Sequence, residues 1–150
     1  MAQTLTSLLV HIVFSTKHRA DLITPEIEPK LFAYIGGILN NEKSVLLASG
    51  GTMNHIHLLV SQSKTMALSD LVKDVKQGSS KWIKTRGREF AGFHWQDGYG
   101  AFTIGKSQVE TLRGYLAKQK VHHQKQSFED ELREALKNYE VEFDERYLWD

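Results

Sequence analysis

His55-Ile56-His57 stands inside an apolar run, and Tyr115-Leu116-Ala117-Lys118-Gln119 follows about sixty residues later. On an extended chain, residues two apart share a face at ~6.7 Å, close enough for two imidazoles to lean onto one ion. On a helix, a tyrosine and a glutamine at i, i+4 are surface neighbours. The two strings therefore offer three metal donors (His55, His57 and Gln119) and one nucleophile, Tyr115. A phenol with a pKa of ~10 attacks poorly at neutral pH unless a base or cation assists. A cation on those donors would polarise a phosphate oxygen and neutralise charge building in the transition state. These residue types in this pattern point to metal-assisted attack of a tyrosine on a phosphodiester. A phosphotyrosine product keeps the energy of the broken bond, so strands could be rejoined without a nucleotide cofactor. That agrees with the lack of a G-x-x-x-x-G-K-[ST] loop.

Each part alone is weak. A His-x-His pair also suits two polar residues on a half-exposed strand, and a border tyrosine usually packs its ring and hydrogen-bonds its hydroxyl. Imidazole nitrogens suit Zn, Mn, Fe, Ni or Cu more naturally than Mg. His11 on the first strand either flanks the site or is a satisfied core histidine, the simpler reading. His122 and His123 read as structural or DNA-facing residues, not as ligands.

The elements that must position these groups follow from periodicity. Leu8 to Phe14 is a buried strand, and Pro25 opens a helical stretch with Ile27, Leu31, Ile35 and Leu39 on one side. Ser44 to Ser49 and His55 to Ser61 are strands around a Gly50-Gly51 turn. Leu68, Leu71, Val72, Val75, Ser79, Trp82 and Ile83 form the buried stripe of the next helix. Lys73, Ser80 and Lys84 fall on its wet face, with Lys76 at the edge. Phe93 to Gln96 and Ala101 to Ile104 flank an Asp97-Gly98 turn signal. Ser107 with Glu110 reads as the capping box of the helix carrying Tyr115, whose buried stripe is Val109, Leu112 and Leu116. Ser127 with Asp130 opens a last helix through Phe128, Leu132, Leu136 and Tyr139. The order predicts an α+β fold, a ferredoxin-like sandwich with helices on one face of an antiparallel sheet and a C-terminal helical extension carrying the tyrosine. No repeat or linker divides residues 1–150, which read as one domain.

Composition is that of a globular protein, 41% hydrophobic and 25% charged, so a core of useful size is available. With Cys 0, disulfides and thiolate metal sites are excluded, and a cytoplasmic location is expected. The N-terminus lacks signal-peptide character, and no run approaches a membrane span. The formal net charge of +1 hides an asymmetry. Residues 64–88 carry seven Lys/Arg against two Asp, and residues 127–150 carry nine Asp/Glu against three Lys/Arg. An anionic partner would meet the middle of the chain and avoid its tail, although two solvated faces of opposite sign fit the same charges. Lys73, Lys76 and Lys84 are the expected phosphate contacts; Trp82 reads as core and Trp95 as a platform for an unpaired base.

With these motifs in place, the chain resembles the single-tyrosine HUH transposases of small insertion sequences and their REP-associated relatives. The likeness runs through His11 to Lys17, His55-Ile56-His57, Leu68 to Ile83, Trp95 to Phe102, Tyr115 to His123 and Tyr147 to Asp150. It implies a homodimer acting on single-stranded DNA at hairpin-flanked ends, leaving a 5′-phosphotyrosine and a free 3′-OH. It further implies Tyr115 as nucleophile, His55, His57 and Gln119 as ligands, and Mg²⁺ or Mn²⁺ as the ion. Whether the tyrosine serves its own chain's site or a partner's stays open at this point. Two other readings are a ferredoxin-like single-strand binder without chemistry and another HUH nickase. The binder has no use for paired histidines beside a tyrosine helix, and the nickases are usually larger.

Overall fold

The computed structural model describes residues 2–150. The apolar run near the N-terminus forms β1 (Leu9–Ser15), followed by α1 (Glu28–Asn41), β2 (Val45–Gly51), β3 (His55–Ser61), α2 (Leu68–Ile83) and β4 (Gly100–Thr103). Three further helices follow: α3 (Val109–Ala117), α4 (Gln119–His122) and α5 (Phe128–Asn138). The sheet order is β2-β3-β1-β4 with every neighbouring pair antiparallel, the ferredoxin-like arrangement.

Both inner strands, β1 and β3, are covered on two sides, and their alternation decides what each side does. Ile12, Phe14, Ile56, Leu58 and Val60 face α1 and α2, where they meet Leu31, Ile35, Leu39, Leu71, Val72, Val75 and Ile83. Leu9, Val13 and Leu59 point the other way, toward Val109 and Leu116 of α3 and Phe128, Leu132 and Leu136 of α5. His55 and His57 share this second face. Helices thus cover both faces of the sheet, with α1 and α2 on one and the C-terminal extension on the other.

Several local expectations are corrected. Gly50 and Gly51 belong to β2, and the turn is Thr52 to Asn54. Phe93 to Gln96 is not a strand; only an isolated bridge joins Trp95 to Thr16. Its aromatics wedge into the core instead, with Trp95 edge-on to Phe14 and to Phe93, both at 4.8 Å. The Trp95 indole N–H donates to Ser79 Oγ at 3.0 Å and the ring is buried, so it cannot stack on a base. Trp82 sits at the core's edge and stacks outward on Tyr34 at 5.0 Å. Pro29, in the first turn, is the proline inside α1, whereas Pro25 lies in the preceding turn. A 3₁₀ turn, Lys106–Gln108, precedes α3, and the Gln108 side chain, not Ser107, closes it by accepting from Gly105 N–H at 2.9 Å. At α5 the cap holds, Ser127 Oγ accepting from Asp130 N–H at 3.1 Å. Among the described residues no helix is long and apolar enough to cross a membrane.

Candidate active site

His55 and His57 are 0% and 2% exposed, far from the half-exposed strand that would make them ordinary polar residues. The C-terminal extension buries them. Phe128 of α5 stacks on the His55 ring at 4.5 Å, and α3 and α4 bring Tyr115 and Gln119 across. The helix expected through Tyr115 and Gln119 breaks at Lys118, where φ is −107° and ψ 18°. Both side chains nevertheless reach one group, the carboxylate of Glu131 on α5. The Tyr115 hydroxyl and the Gln119 amide N–H both donate to its Oε2, the latter at 3.2 Å. Its other oxygen, Oε1, lies 2.9 Å from His57 Nε2, 3.2 Å from His123 Nε2 and 3.6 Å from His55 Nε2.

The far side of each strand histidine is also held. His55 Nδ1 lies 2.9 Å from Asn54 Oδ1 and 3.0 Å from Thr52 Oγ1, while Nε2 faces Gln119 Oε1 at 3.1 Å. With the proton on Nδ1 and the Asn54 amide so assigned, two acceptors face each other across that last contact. Protonating His55 to relieve it is costly, because burial and the neighbouring His57 and His123 lower its pKa to about 3. His57 Nδ1 lies 2.8 Å from Nε2 of His11, so His11 flanks the site and orients the His57 ring. Burial, then the adjacent His57, lowers the His11 pKa to about 3 as well.

The residues present fit a divalent ion. Donor atoms of His55, His57, His123 and Glu131 all lie within 4.8 Å of one another. Ligands ~2.1 Å from a shared ion stand ~3.0–3.4 Å apart in octahedral or tetrahedral sites, and the distances of Glu131 Oε1 from His57, His123 and His55, 2.9, 3.2 and 3.6 Å, lie in or close to that range. His123 Nε2 is buried and makes no hydrogen bond of acceptable geometry, although Glu131 is within ion-pair range. A cation would give the unpartnered His123 nitrogen a partner and relieve the pair of opposed acceptors. The set of imidazole, carboxylate and amide donors suits Mn²⁺ or Zn²⁺ better than Mg²⁺.

Sequence reasoning missed Glu131, and it read His123 as structural or DNA-facing and not as a ligand, whereas both stand with His55 and His57 in the donor cluster. Glu131 lies on the same stripe of α5 as Phe128, Leu132 and Leu136, and a carboxylate on an apolar stripe must be paired. Burial alone would push Glu131 up, but the His123 and His57 imidazoles beside it hold it well below the usual carboxylate range. Burial and the hydrogen bond to Glu131 push the Tyr115 phenol above its ordinary value. The His122 ring, 4.5 Å away, stacks on Tyr115. A cavity of about 300 Å³ lined by His11, His57, Phe102, Tyr115, Phe128 and Glu131 opens beside the phenol.

The expected phosphate contacts lie elsewhere. Lys73 on α2 and Lys84 at its C-terminal cap are exposed. Lys76 donates inward, to the carbonyls of Gln96, Asp97 and Gly98 at 2.8, 3.1 and 2.6 Å. A cleft of about 430 Å³ beside Lys73 and Lys76, between α2 and residues 95–99, contains none of the metal-donor residues.

Residues 4–119 match the family described as "Transposase IS200 like". This chain belongs to the IS200-like transposase family. The match takes in His55, His57, Tyr115 and Gln119 and stops short of His123 and Glu131. No curated protein matches the sequence. Among solved structures, the transposase fold is similar to that of a candidate transposase from Deinococcus radiodurans R1, with a TM-score of 0.62 at 19% identity over 79% of this chain and 95% of the other. It is also similar to a REP-associated tyrosine transposase bound to a REP hairpin, with a TM-score of 0.61 at 11% identity over 82% of this chain and 72% of that one. At these identities the likeness is one of fold. Family membership makes the chain a transposase, a DNA-cutting enzyme, whose buried His/Glu cluster fits a metal site.

Proposed function

We propose that this transposase cuts and rejoins single-stranded DNA at hairpin-flanked ends through a 5′-phosphotyrosine on Tyr115, assisted by a divalent ion. The observation that carries the reading is the convergence of Tyr115, Gln119, His55 and His57 on one carboxylate within a single chain. His55, His57 and Gln119 would hold the ion, with Mn²⁺ favoured over Mg²⁺ by the donor types. When bound, it supplies positive charge to the scissile phosphate and to the oxygens that become negative in the transition state.

Tyr115 Oη bonds to phosphorus as the bond to the 3′ oxygen breaks. The phenol gives up a proton and the departing 3′ oxygen takes one up, so the step is proton-neutral. The reverse attack by a 3′-OH reseals the strand. Phe128 and the stacked His122 keep the phenol and the ligand rings in fixed orientation while the 300 Å³ cavity admits the strand. Because one chain brings its own tyrosine to its own histidines, chemistry in cis is the arrangement this geometry supports. A homodimer would then serve to hold two DNA ends together and not to complete a site. Lys73 and Lys84 are the proposed phosphate contacts, with Lys76 acting through the loop it anchors.

The test is covalent capture. Labelled single-stranded DNA from the ends flanking its own gene should yield a denaturation-resistant adduct with the wild-type chain and Mn²⁺. Tyr115→Phe should bind the same hairpins without forming it. An adduct on the Phe variant would overturn the assignment.

A further inference from the structure

The carboxylate of Glu131 faces two ways. Oε1 stands among three imidazole nitrogens, and Oε2 receives both the Tyr115 hydroxyl and the Gln119 amide. The residue is 9% exposed, and it comes from α5, a helix outside the segment that matches the family. An acidic group on the apolar face of α5 would be costly there without a strong reason to be paired.

We propose that Glu131 is a bridging carboxylate: one oxygen ligates the metal ion and the other holds the Tyr115 hydroxyl, so that ion and nucleophile are positioned by the same side chain. The inference rests on the metal-assisted reading above and extends it. Three consequences follow from the geometry. The ion is held from β3 and from the C-terminal extension together, with His123 adding its buried Nε2 to the donors. Loading the ion draws on Oε1 and thereby changes the charge seen by the phenol through Oε2. And α5, otherwise an amphipathic helix packed through Phe128, Leu132 and Leu136, becomes part of the catalytic unit. Glu131 acts on the phosphate through Tyr115 and the ion, so it is a positioning residue.

The experiment separates ion binding from DNA chemistry. Mn²⁺ affinity is read by electron paramagnetic resonance on DNA-free protein. The environment of Tyr115 is read by NMR on protein carrying ¹³Cζ-tyrosine, its signal assigned by its loss in Tyr115→Phe. In the wild type, Mg²⁺ should shift the Tyr115 signal. Glu131→Gln should weaken Mn²⁺ binding by tenfold or more and abolish the Mg²⁺ response of Tyr115, with the other tyrosine signals in place. Glu131→Asp keeps the charge but is one methylene short of spanning both groups. It should retain Mn²⁺ within about tenfold of wild type while losing the Tyr115 response, and it decides the matter if the Gln variant does not fold. Unchanged Mn²⁺ affinity in Glu131→Gln, or a Tyr115 response that survives in either variant, overturns the bridge and leaves the transposase chemistry standing. A wild-type chain that binds no Mn²⁺ overturns the metal-assisted reading itself.

Discussion

Gly50 on β2 and Leu116 on α3 touch so closely that a Cβ on Gly50 would stand 2.2 Å from the Leu116 carbonyl oxygen. The neighbour is backbone and cannot swing away, so any side chain at 50 must push α3 off the sheet. Tyr115 precedes Leu116, and its placement over the histidines depends on that contact. Gly50→Ala should therefore destabilise the fold by about 1–3 kcal/mol, the usual cost of overpacking. It should also slow adduct formation more than it weakens DNA binding. Thermal melts and single-turnover adduct rates measure both; a wild-type adduct rate would show that the approach does not position the tyrosine.

The metal-free protein should lose stability in acid over a definite window. His55 and His11 have folded pKa values lowered to about 3 against 6.5 in the unfolded chain. Between those values the unfolded chain binds more protons, so stability falls as pH drops from 6.5 toward 3. The slope approaches roughly 2.7 kcal/mol per pH unit for two such groups. Glu131, depressed by its histidine neighbours, contributes with the same sign below its ordinary value. Chemical denaturation in chelator from pH 7 to pH 4 checks this, and a flat profile would mean that the histidines are not held neutral.

Which parts of this site could be read from the sequence has a physical explanation. The period of two in an extended chain put His55 and His57 on one face of β3, and both rings do face Glu131, because that period fixes side-chain direction without tertiary help. Tyr115 and Gln119 were found for a similar local reason, although the helix between them breaks at Lys118. Glu131 was not found and His123 was not read as a ligand, because their partners on β3 and α3 lie between 16 and 76 residues away in the chain. No local period reports a contact of that kind. The one available signal was an acidic residue on the Phe128, Leu132 and Leu136 stripe. Trp95 was misread for the opposite reason: a tryptophan near a turn looks exposed until Ser79 on α2 is seen to accept its N–H.

Ion binding should stabilise the fold, since donors come from both the sheet and the C-terminal helices. At a concentration one hundred times its Kd, an ion bound by the folded state alone adds about 2.7 kcal/mol. Mn²⁺ should raise Tm and a chelator reverse the gain. His57→Ala should abolish it, through loss of a donor and of the ring that His11 orients. If the alanine variant is stabilised by Mn²⁺ as strongly as wild type, the ion sits elsewhere.

The lysines of α2 should divide into two kinds. Lys73 and Lys84 project outward, and removing a phosphate contact lowers the salt dependence of single-strand binding by ~0.7 in log–log slope per charge. Lys73→Ala and Lys84→Ala should each show that reduction, with Tm unchanged. Lys76 is different, because its ammonium ties the Gln96, Asp97 and Gly98 carbonyls together beneath Tyr99. Its burial lowers its pKa to about 8, against the pull of Asp97. Lys76→Met keeps the apolar stem and removes the donor, so it should cost about 1–3 kcal/mol of stability and leave the salt slope as it was. Fluorescence anisotropy across a salt series, run beside thermal melts, distinguishes the cases. A lowered slope with an unaltered Tm for Lys76→Met would place its charge on DNA and not on the loop.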